Sequence, residues 1–90
     1  TGVSGEVALQ VGSMMAELGN AHQLIAITHL PQIAAKGQSH FFVFKQEDEE
    51  RSSTRIKKLT FDERKIELAK MLSGEKYSDA ALENATQLLN

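Results

Sequence analysis

The chain of 90 residues contains no cysteine and no tryptophan, and it has a single proline and a single tyrosine. Without cysteine there is neither a disulfide framework nor a thiolate zinc site, which fits a reducing cytoplasm. Charge of one sign is missing too: ten Lys and Arg stand against twelve Asp and Glu, a formal net charge of −2. The basic footprint that nucleic-acid binders need is therefore absent, and DNA contact by this segment itself is not expected. No apolar run approaches the roughly 18–20 residues of a membrane span, and no charged-then-apolar leader opens the sequence. A soluble, intracellular polypeptide without membrane contact is the expectation. The sequence opens on Thr1-Gly2-Val3 rather than on methionine, and so reads as an excised piece of something longer. It makes one small domain at most, burying only about 60–65% of the surface its unfolded form exposes.

What is present divides into short, recognisable elements. After the small-residue loop Thr1–Gly5, Val7, Val11, Met14 and Leu18 fall at helical spacing, with Ser4 as a cap, Glu6 near the positive end of the helix dipole and Gly19-Asn20 as a stop. Gln23–Thr28 reads as a strand buried on both faces, because Leu24, Ile25, Ala26 and Ile27 do not alternate with polar residues. Pro31 suits the first turn of a short helix through Ala35, ended by Gly37. Residues 41–45 and 54–59, rich in aromatic and β-branched side chains, form a hairpin whose acidic tip, residues 47–53, is solvated. Thr60-Phe61-Asp62-Glu63 has the form of a capping box before the amphipathic run Ile66, Leu68, Ala69, Met71 and Leu72, which ends at Gly74. A last helix is capped by Ser78 and carries Leu82, Ala85, Leu88 and Leu89. The methionines Met14, Met15 and Met71 sit at core spacing as ordinary fillers. One strand between helices, a hairpin and two more helices cannot be a complete doubly wound sheet. The strand at Leu24 needs neighbours that this sequence does not supply.

His29 is the candidate for chemistry. It ends the apolar run and precedes Leu30-Pro31, which places a titratable side chain at the carboxyl edge of a strand, where open α/β sheets bind ligands. His22, in the turn before the strand, and His40, at the start of the hairpin, read as surface or structural residues. No histidine pairs with carboxylates at the i, i+4 spacing of a helical metal site, and the residue 47–50 acidic run lacks the alternation, central glycine and closing glutamate of a calcium loop. Arg55, Lys57 and Lys58 read as an exposed strand face.

Taken in order, Thr-Gly-Val-Ser-Gly at residues 1–5, Thr-His-Leu-Pro-Gln-Ile-Ala-Ala at 28–35, the Phe-x-Val-x-Lys strand and the two closing helices resemble the carboxyl-terminal part of the ATPase head in the RecN family. These are bacterial DNA repair proteins whose heads are ABC-type ATPases related to the SMC family. The resemblance runs essentially end to end and implies the C-terminal lobe of a P-loop head, an α/β unit with a buried strand, a β-hairpin and flanking helices. It implies that Thr1, Gly2, Val3 and Ser4, with Gly5, match the D-loop that crosses between two heads closed on nucleotide. Most ABC proteins carry Asp where this chain has Ser4, which puts the usual inter-head contact in doubt. It implies that His29 matches the switch histidine that reaches the γ-phosphate, with Thr28 in a supporting role.

Absences bound that function. There is no Gly-x-x-x-x-Gly-Lys-Ser/Thr, so the phosphate-cradling loop is missing. The magnesium-binding Asp-Glu pair implied by the resemblance would precede Thr1, and the ABC signature is absent. This segment alone is therefore expected to bind ATP and Mg2+ poorly and to hydrolyse nothing. In the intact parent it would serve ATP hydrolysis in double-strand break repair and recombination, in a cytoplasmic, nucleoid-associated protein paired with a second head. DNA would be met by the intact protein, not by this segment. The alternative is a non-enzymatic docking module in which His29 is structural, buried and satisfied by backbone. The unpaired strand edge leads us to expect self-association of the isolated segment.

Overall fold

The structure, a computed structural model, describes residues 4–90. Its elements follow the local signals closely. Helix α1 (Gly5–Ala21) begins where Ser4, in extended conformation, accepts a hydrogen bond from Val7 N through its hydroxyl, and α2 (Pro31–Ala34) begins at the proline. Strands β1 (Phe41–Glu47) and β2 (Ser52–Lys58) pair antiparallel, with Val43 opposite Ile56 and Phe44 opposite Arg55. The tip is closed by Asp48 N donating to Arg51 O at 2.7 Å, and its side chains are exposed. Helix α3 (Phe61–Ser73) carries the complete capping box, Thr60 Oγ1 accepting from Glu63 N and Glu63 accepting from Thr60 N. It ends at Gly74, whose φ of 93° is a conformation that suits glycine. Helix α4 (Asp79–Leu89) is capped by Ser78.

The core lies between α3 and α4. Leu68, Ala69, Ala81 and Ala85 are buried there together with Ala35 of the α2 end, and Met71, Leu72, Tyr77, Leu82, Leu88 and Leu89 close over them. Small alanines let the helices come close, and Leu68 supplies the one large side chain among the fully buried described residues.

Two expectations are corrected by the structure. The buried strand at Gln23–Thr28 does not form: residues 23–28 have no regular secondary structure and no strand pairing, and Ile25 and Ile27 are 83% and 100% exposed. A strand exists only through hydrogen bonds to a neighbour, and among the described residues the sheet contains β1 and β2 alone. The α1 stripe also turns out differently. Val7, Met14 and Leu18 are exposed, whereas Ala8 and Gly12 are buried. The neighbour of α1 is the short α2, and close approach to its backbone selects the face with the smallest side chains. Met14 is accordingly not a core filler, while Met71 is partly buried against the α3–α4 core.

Candidate functional site

Of the residues matched to the D-loop, Thr1, Gly2 and Val3 lie outside the described residues. Ser4 is exposed and its Oγ accepts a hydrogen bond from Val7 N at 3.3 Å, which makes it the cap of α1. A capping hydroxyl satisfies one of the free N–H groups of the first helical turn. Gly5 begins α1 and faces α2: a methyl group built on it would meet Gln32 Nε2 at 3.4 Å. The fold thus brings the end of the Thr-Gly-Val-Ser-Gly segment beside Gln32, which follows closely after His29.

His29 is exposed and stands at a bend between the irregular run 23–28 and α2. The backbone around it is held on both sides. Thr28 Oγ1 accepts a hydrogen bond from Leu30 N at 3.0 Å, closing a short turn across His29. Leu30, at φ −99° and ψ 118°, has the extended backbone that a following proline imposes. Thr28 therefore supports the turn through its hydroxyl, and the imidazole of His29 is left to solvent. That arrangement allows a ring N–H to donate to an incoming anion.

Sequence reasoning missed Arg64. From α3 its Nη2 donates to the carbonyl of Gly37 at 2.8 Å and to those of Ala34 and Ala35 at 3.4 Å, binding the carboxyl end of α2 across the fold. Burial lowers its pKa, yet an arginine keeps its charge in proteins. Nothing in the local pattern marks it, because its partners are backbone carbonyls far along the chain. His40 is half-buried near the same place. Its pKa is lowered, first by burial and then by the Arg64 charge, against an opposing pull from Glu67. Nδ1 of His40 and Nε of Arg64 are buried without a hydrogen-bond partner among the described residues.

The remaining charged residues are arranged as surface. His22, Arg55 and Lys58 are exposed, and exposed Lys57 pairs with Glu63, which draws the Glu63 carboxyl below its ordinary value chiefly through that hydrogen bond. Phe42 and Phe44 stack at 5.9 Å between ring centroids, above a shallow groove shared with Leu59 and Ile66. Among the described residues no group of three or more His, Cys, Asp and Glu side chains could hold a metal ion. No helix among them is long and apolar enough to cross a membrane.

No protein-family model matches the chain. Curated relatives do. The chain is 42% identical over 88 residues to the DNA repair protein RecN of Deinococcus radiodurans, covering 98% of this chain and 15% of that protein. It is 39% identical over 88 residues to RecN of Vibrio cholerae, again 98% of this chain and 16% of the relative. With RecN of Bacillus subtilis the identity is 35% over 89 residues, covering 99% and 16%. The chain therefore spans about one sixth of the length of the relatives it matches.

Proposed function

The chain is a homologue of one segment of the DNA repair protein RecN, and on that premise we propose that it forms the C-terminal lobe of a P-loop, ABC-type ATPase head, with residues 1–5 as D-loop and His29 as switch histidine. The observation that supports this reading is the placement of Gly5, the last residue of the first motif, beside Gln32 of the second, with His29 open to solvent. In that role His29 donates a hydrogen bond to a terminal phosphate oxygen of ATP and helps hold the attacking water in line. Phosphoryl transfer asks mostly for such positioning and charge stabilisation. Small residues at 1–5 would allow a partner head to pass close to the backbone.

The described residues contain no group of three or more His, Cys, Asp and Glu side chains that could hold a magnesium ion. The rest of the nucleotide machinery belongs to the parent protein, whose activity is ATP hydrolysis coupled to head pairing in DNA break repair in the bacterial cytoplasm. DNA would be engaged by that whole protein, a view supported by the balanced charge of this segment. The docking-module alternative calls for a buried His29 satisfied by backbone, and the exposure of His29 supports the ATPase reading over it.

The test is ATP turnover by the full-length parent with His29 intact and with His29→Ala. A fall of about 100-fold in kcat at unchanged Tm is the expected outcome for a positioned catalytic group. Unchanged turnover removes His29 from the chemistry and brings the docking reading forward.

A further inference from the structure

A helix of one turn does not persist unaided, because nucleation fixes several residues for a single hydrogen bond. The short helix Pro31–Ala34 is in that position, and it has no side-chain cap at its start. Its placement is imposed by what surrounds it. On its flank Gly12 of α1 approaches so closely that a Cβ there would stand 3.0 Å from Gln32 O and 3.4 Å from Ile33 Cα. That contact is one of shape and has no directional bond to stop sliding. At the carboxyl end, Arg64 supplies the direction, with Nη2 hydrogen-bonded to Gly37 O, Ala34 O and Ala35 O. A cation is also favoured where helix carbonyls point outward. At the amino end, the Thr28–Leu30 turn and the fixed φ of Pro31 join His29 to α2 through backbone with little freedom. A displacement of α2 is therefore carried directly into the His29 turn.

We propose that Arg64 is a positioning residue for His29: by holding the last carbonyls of α2 from α3, it sets where the His29 turn stands. The inference rests on the reading of His29 as the phosphate-facing histidine, and it adds a residue distant in sequence that the turn depends on. Arg64 touches no reacting atom in this scheme. It acts through α2.

The test uses the full-length protein that carries this segment, with ATP as the probe and hydrogen exchange as a second readout. Arg64→Ala is expected to raise exchange across residues 29–37 while peptides from α4 keep their protection. It is also expected to lower kcat by about 10- to 100-fold with KM for ATP nearly unchanged, as a misplaced group does. Arg64→Lys keeps the charge without the planar fork and recovers part of both losses. In a His29→Ala background, Arg64→Ala costs no further activity, since residues acting as one unit are not additive. Wild-type exchange over 29–37 in Arg64→Ala, or the same fold-loss with and without His29, overturns the proposal. If Arg64→Ala fails to fold, Arg64→Lys decides: raised exchange over 29–37 at unchanged Tm supports the proposal, and wild-type exchange overturns it. Should His29→Ala leave turnover unaltered while Arg64→Ala still loosens 29–37, the phosphate role of His29 falls and the hold of Arg64 on the turn stands.

Discussion

The two ends of this chain treat their apolar residues in opposite ways. Between α3 and α4, Leu68, Ala69, Ala81 and Ala85 are buried and the partly buried leucines pack around them. Between α1 and α2, Ile25 and Ile27 stand in solvent although they are as apolar as any residue in the α3–α4 core. The first region contains both partners of its interface within a short stretch of sequence, joined by the turn at Gly74. Around the second, the described residues supply nothing that covers Ile25 and Ile27. Apolar character alone therefore does not bury a residue; a partner within reach does. The radius of gyration is 14.3 Å, against about 12 Å for a compact domain of this length.

The sharpest way to break this contrast is to empty the closed side. Leu68→Ala removes the large fully buried side chain and is expected to cost about 2–5 kcal/mol, read by urea or thermal unfolding. A loss well under 1 kcal/mol would show that the α3–α4 pair is no core at all. Gly12→Val probes the seam between the regions. Its side chain would collide with Gln32 O and Lys36 Cγ, each 3.0 Å from the Cβ position, and overpacking of this kind costs about 1–3 kcal/mol. Hydrogen exchange should rise in α2 before it rises in α4.

Acid sharpens the comparison further, through a smaller effect. His40 has a folded-state pKa below its ordinary 6.5, so its unfolded form binds the proton more readily. Its contribution to stability is fully present above pH 6.5, falls as the pH drops below that value, and levels off once the folded form is also protonated. Glu63, lowered from 4.5 by Lys57 and then by the Thr60 backbone N–H, has its contribution present above pH 4.5 and lost as acid protonates the folded form. Thermal midpoints measured from pH 7.5 to 3 should therefore decline below pH 6.5 in the parent sequence and lose that first decline in His40→Gln, while Glu63→Gln removes only the part of the decline below pH 4.5. A decline that survives His40→Gln would assign it to other groups.

The smallest expected change is the most instructive. Ile27→Thr replaces a fully exposed side chain, and stability should stay within about 0.5 kcal/mol of the parent. Light scattering on the same variant reads the other consequence of an unpaired apolar run, a reduced tendency of the isolated segment to self-associate. A loss above 1 kcal/mol would mean that Ile27 packs in solution and that the two regions are less different than they look.

Helix starts were the most legible part of the sequence, since Ser4, Thr60, Ser78 and Pro31 act on backbone groups within their own first turn. The hairpin was legible for the same reason, its strands being joined by a short tip and paired with each other. The run at Leu24 misled because lack of alternation signals burial on two faces and says nothing about what provides the burial. On α1, the spacing of Val7, Val11, Met14 and Leu18 marks a helix but does not say which face is covered, and the helix turns Ala8 and Gly12 inward. At the candidate site, His29 and residues 1–5 could be picked out from residue order, whereas Gln32 beside Gly5 and Arg64 at the end of α2 could not.

The sequence by itself determined the caps, the turns, the presence of the hairpin and the kinship with RecN, because each depends on neighbours a few residues away or on the order of residues alone. Only the tertiary structure decided which face of α1 is buried, that Gln23–Thr28 stays unpaired, and that Arg64 grips α2. Those outcomes depend on which surfaces meet, and contacts between residues some thirty positions apart, such as Arg64 with Ala34, leave no local pattern to read.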